Sequence, residues 1–284
     1  MIAAAERPIF YTGGGIINSG PVATQLLRDF ARLTGAPVTS TLMGLGAYPA
    51  TDKQFVGMLG MHGTYEANMA MQDCDVLLAV GARFDDRVIG NTTDFLSKPR
   101  TIIHIDIDPA SISKRVKIDV PIVGDVKSVL ADMNEIIATE KPLQNTIALN
   151  AWFEQIKTWR AKECMNFAQS DEFIKPQYVI QKLHEVTNGD AWVTSDVGQH
   201  QMITNRYYRF KKQNSIVTSG GAGTMGFALP AAFGAKVAVP HREVVAVIGD
   251  GGFQMTMQEL GTIAYNKLPV KIIVLNNKCQ SYKI

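Results

Sequence analysis

Residues 244–260 read VVAVIGDGGFQMTMQEL, an apolar run that halts on Gly249-Asp250-Gly251-Gly252 and resumes with a helix-like pattern. Residues 244–248 form the unbroken Val/Ile/Ala string of a strand buried on both faces of a parallel sheet. Glycines straight after such a strand let the backbone turn sharply or lie close to a ligand. Asp250 then stands at the carboxyl end of its strand, where open α/β sheets bind ligands. Taken locally, it could equally be the N-cap of the helix that follows. The next strand, residues 270–275, closes in a similar way on Asn276-Asn277. About one strand-helix-strand unit separates Asp250 from Asn277, so adjacent parallel strands would bring both side chains to one edge. A carboxylate with an amide oxygen is a hard-oxygen pair suited to Mg²⁺, which takes its other ligands from water and a substrate's phosphates. Gly251 and Gly252 would let those phosphates approach the helix N-terminus.

Outward from this point, short apolar strands alternate with helical stretches. PIFYTGGG (8–15), PVTSTLMG (37–44), DVLLAVGARF (75–84) and RTIIHIDIDP (100–109) read as strands of the first half. The helix between the first two carries Val22, Leu26, Leu27, Phe30 and Leu33 at helical spacing and stops at Gly35. The alternation restarts at Pro176 with AWVTSDVG (191–198), SIVTSGGAGT (215–224) and the opening stretch, which feeds one predicted helix over 253–268. Such alternation predicts an α/β fold with parallel sheets covered by helices on both faces. We expect two doubly wound domains: a Rossmann-like one over 1–140 and an incomplete one over 176–284. Residues 141–175 read as a linker that packs on a surface through Trp152, Phe153, Ile156 and Trp159. Because only KCQSYKI follows the last strand, the sequence predicts a piece of a longer polypeptide.

Composition narrows the classes. At 46% hydrophobic and 19% charged residues the chain is globular, neither fibrous nor disordered. A net charge of +2 gives no reason to expect nucleic acid or an anionic membrane as partner. No apolar stretch approaches the roughly 20 residues of a spanning helix, and the start lacks a secretory pattern. Cys74, Cys164 and Cys279 are odd in number and lack metal-ligand spacing, which predicts reduced thiols and a cytoplasmic protein. TGGGIINSG (12–20) follows a strand but is not G-x-G-x-x-G, and Asp29 comes too early for a ribose ligand, so a nicotinamide site is a poor fit.

The GDG-type turn followed by Asn-Asn resembles the signature of thiamin diphosphate enzymes. Within that family SDVGQHQM (195–202), SGGAGTMGFALPAAFGAK (219–236) and residues 40–91 are similar to the large catalytic subunits of acetolactate (acetohydroxyacid) synthases, and the likeness extends over residues 1–277. It implies that the whole enzyme decarboxylates pyruvate on thiamin diphosphate and passes the hydroxyethyl unit to pyruvate or 2-ketobutyrate, the entry to valine, leucine and isoleucine synthesis. It implies Asp250 and Asn277 as Mg²⁺ ligands, with Gln199, His200, Gly223, Gly249, Gly251 and Gly252 about thiamin diphosphate. Met225 would prop the bent cofactor, although a core methionine at a Gly-rich bend is as good a reading of its chemistry. His200, on its own, could be an exposed loop histidine.

The first half would hold FAD in a structural role. By position its lining would be Gly13, Gly14, Gly15, Thr41, Leu42, Met43, Leu59, Gly60, His62, Gly81, Ala82, Arg83, Asp106, Ile107 and Asp125. Arg83 could neutralise the pyrophosphate and Asp106 accept from ribose hydroxyls; His62 could instead be a half-buried structural histidine. Arg87, in GARFDDR, would meet the carboxylate of the second 2-keto acid, as a guanidinium fork suits a carboxylate, or belong to a solvated charged loop. The resemblance further implies a homodimer or tetramer and a small regulatory subunit. The family's N-terminal pyrimidine-binding domain, with its catalytic Glu, and its Gly-Met-Val continuation after Asn-Asn are not in this sequence, so the chain alone is expected to be inactive. Pyruvate oxidase, glyoxylate carboligase and a non-catalytic flavin-binding module are the competing readings.

Overall fold

The computed structural model describes residues 1–140 and 144–278, which form two compact units divided between Asn166 and Phe167. Cys279 and the atypical tail lie outside the described residues. The boundary falls inside the stretch that reads as a linker in the sequence.

In the first unit the chain runs β1 (Pro8–Thr12), α1 (Gly14–Asn18), α2 (Gly20–Thr34), β2 (Val38–Ser40), β3 (Phe55–Met58), α3 (Tyr65–Asp73), β4 (Val76–Val80), α4 (Thr92–Leu96), β5 (Thr101–Asp106), β6 (Val120–Val123), α5 (Val126–Glu140) and α6 (Thr146–Arg160). Its sheet is wholly parallel, in the order β3-β2-β1-β4-β5-β6. The order reverses direction between β1 and β4, the position where doubly wound sheets open a crevice. β1 and β4 are buried at every residue. The edge strands β3 and β6 escape detection in the sequence. One contains Gly57, the other Pro121, which an edge strand tolerates because one side needs no ladder hydrogen bond.

One face of this sheet packs on α2 and α5 through Phe10, Leu78 and Ile105, the other on α3 and α6 through Ile9, Tyr11 and Leu77. The buried residues of α2 are Ala23, Thr24, Leu27, Phe30, Ala31 and Thr34. Val22 and Leu33, read from the sequence as part of that set, are exposed. The buried face centres on small side chains, Ala23 and Ala31, in the core that α2 shares with α5. The predicted linker helix is α6, and its Trp152, Ile156 and Trp159 enter the first unit's core, with Phe153 half-buried. Trp152 Nε1 donates to Pro8 O at 3.0 Å, tying α6 to the start of β1.

In the second unit the chain runs α7 (Pro176–Val186), β7 (Trp192–Ser195), α8 (Gln199–Tyr207), β8 (Ile216–Thr218), α9 (Ala228–Ala238), β9 (Val244–Gly249), α10 (Asp250–Thr256), α11 (Glu259–Tyr265) and β10 (Lys271–Leu275). The four strands are parallel in the order β10-β9-β7-β8. β9 is buried throughout. The single helix expected over 253–268 is two helices. Thr256 turns its hydroxyl onto Gly226 O at 3.1 Å, and Leu260 N and Gly261 N bond three residues back, to Met257 O and Gln258 O. This tight turn separates α10 from α11.

Two substitutions test the packing. Trp152→Ala should destabilise the first unit by about 3–5 kcal/mol, seen as a lower denaturation midpoint. His104, wholly buried on β5, has neither ring nitrogen hydrogen-bonded among the described residues. Burial pushes its pKa below the ordinary value, opposed more weakly by Asp106, whose Oδ2 lies 3.6 Å from Nε2. A depressed imidazole pKa leaves stability intact above the unfolded value of about 6.5 and removes it as pH falls toward the folded value. His104→Gln should therefore flatten the acid limb of stability just below about pH 6.5.

Candidate functional site

In the second unit Leu275 pairs with Gly249, so Asp250 and Asn276 emerge side by side from β9 and β10. They border a cleft of about 420 Å³ that Gln199, His200, Met225, Gly249, Asp250, Gly251, Gly252 and Asn277 also line. Asn277 Nδ2 donates to Gln199 Oε1 at 3.2 Å, linking the end of β10 to the start of α8. Gly223, the one residue of that predicted set outside the cleft lining, closes the 220–222 turn at φ 63°, and a Cβ there would meet open space. Its glycine answers to backbone conformation.

Asp250 is the first residue of α10, and Gly249 occupies the N-cap without a side-chain bond. The N-cap alternative is thus answered: the carboxylate borders the cleft. Among the described residues it is the one acidic side chain lining the cleft. No cluster of three or more His, Cys, Asp or Glu suited to a metal occurs among the described residues. A cation beside Asp250 would therefore depend on amide, carbonyl and phosphate oxygens, the manner in which Mg²⁺ is commonly held.

His200 is the buried polar group of the cleft, and its Nε2 has no hydrogen-bond partner among the described residues. The ring is wedged between two glycines: a Cβ at Gly198 or at Gly249 would lie 2.9 Å from its Cε1. Burial pushes the imidazole pKa down, with Asp196 and Asp250 pulling it back up. The ring adds no charge to the cleft lining, and its Nε2 is buried.

Asp196, missed in the sequence, is wholly buried at the end of β7. It stands in the same position on its strand as Asp250 does on β9, and that shared pattern was the available signal.

In the first unit the predicted flavin residues fall just beyond all six strands. Gly13 to Gly15 follow β1, Thr41 to Met43 follow β2, and Leu59, Gly60 and His62 follow β3; Gly81 to Arg83 follow β4, Asp106 and Ile107 stand at the end of β5, and Asp125 follows β6. A Cβ at Gly13 would lie 2.2 Å from Gly81 O, and one at Gly15 2.7 Å from the Gly81 Cα. These glycines let the turns after β1 and β4 pack backbone to backbone, which brings the two sides of the switch point together. Asp125 accepts from Lys127 N at 2.9 Å and from Ser19 Oγ at 3.3 Å, and Asp106 Oδ1 accepts from Asp108 N at 2.9 Å. Leu59 and Ala82 are buried, whereas Met43 and Ile107 are exposed. Arg83 points outward, 3.7 Å from Asp85 Oδ2, and Arg87 is exposed while its carbonyl accepts from Met61 N.

Two family profiles match the chain. That described as "Thiamine pyrophosphate enzyme, central domain" covers residues 1–133, and "Thiamine pyrophosphate enzyme, C-terminal TPP binding domain" covers residues 196–282. Among curated proteins, the acetolactate synthase isozyme 3 large subunit of Escherichia coli is 50% identical over 277 residues, 98% of this chain and 48% of that protein. The acetolactate synthase large subunit of Haemophilus influenzae is 48% identical over 97% of the chain and 48% of its own length. The tobacco (Nicotiana tabacum) acetolactate synthase 1, chloroplastic, is 46% identical over 98% of the chain and 41% of its own length. The chain thus spans about half the length of the curated relatives it matches.

Gly13→Ala should cost the first unit about 1–3 kcal/mol or more by driving the β1 and β4 turns apart, measured by chemical denaturation.

Proposed function

We infer, from a chain that belongs to the thiamine pyrophosphate enzymes and carries their central and TPP-binding domains, that its protein is an acetolactate synthase. The observation that carries this reading is the convergence of Asp250, Asn277, Gln199, His200 and Met225 on one cleft. Identity near one half over almost the whole chain supports the same reaction.

The donor set fits Mg²⁺ bound to a diphosphate: Asp250 gives a carboxylate and Asn277 an amide oxygen. Gly251 and Gly252 line the cleft beside Asp250 and are the proposed backbone neighbours of the phosphate oxygens. Neutral His200, held between Gly198 and Gly249, lines the cleft without bringing a charge to balance. Met225, at the end of a glycine-rich loop, supports the cofactor's apolar body. Thiamin diphosphate, when bound, supplies the carbon nucleophile for a 2-keto acid and the electron sink for loss of CO₂. Arg87, exposed on the turn after β4, is the proposed anchor for the carboxylate of the acceptor, pyruvate or 2-ketobutyrate.

The first unit fits FAD as a structural group. Its proposed residues ring the carboxyl edge at the switch point, where dinucleotides lie in sheets of this strand order. Asp106 is placed to accept from a ribose hydroxyl. Assembly as a dimer or tetramer with a small regulatory subunit is part of the proposal, supported by the "large subunit" in the relatives' names. So is a cytoplasmic setting: neither Cys74 nor Cys164 is in a disulfide, and among the described residues no helix is long and apolar enough to cross a membrane.

Calorimetric titration of the 284-residue chain with thiamin diphosphate should show binding that requires Mg²⁺ and is lost in Asp250→Ala. Binding unchanged by Asp250→Ala would refute the assignment. Asp250 is the one carboxylate lining the cleft among the described residues, and the chain by itself should give no steady acetolactate in a colorimetric assay, whereas the whole protein should. Reduction of bound flavin by pyruvate would instead point to an oxidase.

A further inference from the structure

The cleft reading leaves one buried carboxylate without a role. Asp196 is wholly inaccessible to solvent, and a carboxylate so placed is costly unless its oxygens are met. Its Oδ1 accepts from Phe227 N at 3.1 Å. Its Oδ2 has no hydrogen-bond partner among the described residues. That oxygen lies against Gly252, where a Cβ would fall 1.5 Å from it. A carboxylate buried with one oxygen unmet calls for an explanation beyond packing.

The two contacts reach two segments that line the cleft. Phe227 follows the glycine-rich turn that carries Met225. Gly252 follows Asp250 by two residues in the first turn of α10. Neutral hydroxyls hold the same turn elsewhere: Thr194 Oγ1 donates to Ala228 O at 2.9 Å, and Thr256 Oγ1 to Gly226 O at 3.1 Å. Ser219 Oγ accepts from Thr224 N at 2.9 Å within it. Asp196 joins that turn to the backbone beside Asp250.

We propose that Asp196 is a positioning residue that sets the Met225 turn against the Asp250 turn, so that the cofactor's apolar body and its metal-diphosphate end are gripped together. It acts through those two neighbours and does not touch the cofactor. The proposal rests on the reading of this cleft as a Mg²⁺-thiamin diphosphate site. It explains why residue 252 is glycine: any side chain there would push the carboxylate off both contacts.

The test is a double-mutant cycle on the full chain, with thiamin diphosphate affinity measured by calorimetry at saturating Mg²⁺, well below each variant's melting temperature. Asp196→Ala should weaken binding on the order of 10-fold or more, as removal of a residue that orients ligand-bearing groups does. Met225→Ala should weaken binding in the wild-type background and add less than about twofold when Asp196 is already Ala. A residue that only stabilises the fold would lower the melting temperature, leave the affinity of the folded protein at the wild-type value, and let Met225→Ala keep its full effect; that outcome overturns the proposal. If Asp196→Ala does not fold, Asp196→Val, which also removes the acceptor for Phe227 N, carries the same cycle, and wild-type affinity with a full Met225→Ala effect again overturns it. Absence of binding by the wild-type chain would overturn the cleft reading itself, and the role of Asp196 with it, before any variant is compared.

Discussion

Strands buried on both faces can carry no chemistry along their length, and this constraint organises the whole molecule. β1, β4 and β9 are sealed by helices above and below, so polar side chains are admitted only where these strands end. In each unit the proposed ligand-facing groups cluster along the carboxyl edge, and what differs is how that edge is filled. The first unit packs backbone against backbone through Gly13, Gly15 and Gly81. The second packs side chain against backbone, with the His200 ring between glycines and the Asp196 carboxylate against Gly252.

This division shapes the electrostatics of the second unit. Two carboxylates, Asp196 and Asp250, flank His200, yet burial outweighs both and keeps the imidazole pKa low. The ring therefore stays neutral at ordinary pH, and the anionic character of the cleft comes from Asp250. On the proposed reading, a diphosphate would enter such a cleft together with a divalent cation that offsets this carboxylate.

Much of this was legible in the sequence, for identifiable reasons. The central strands announced themselves because burial on both faces demands unbroken apolar runs. Asp250 and Asn277 stood out because both interrupt such runs at their ends. The edge strands β3 and β6 were not legible, since a glycine in one and a proline in the other break the pattern that an edge position tolerates. The face of α2 was misread because its buried alanines weigh little against large apolar residues such as Val22 and Leu33. Asp196 was passed over although AWVTSD ends as VVAVIGD does; spacing drew attention to the acid that faces the cleft and away from the one that is buried.

The wedge at His200 carries a consequence for how this edge can change by descent. Gly249 has a φ of −82°, open to any residue, so the imidazole ring is what bars a side chain there. Gly198, at φ 151°, is barred by its own backbone as well as by the ring. A smaller residue at 200 would thus liberate one of the two positions and leave the other bound. Drift at 249 would be permitted only after a change at 200, an ordered pair of steps set by a single ring.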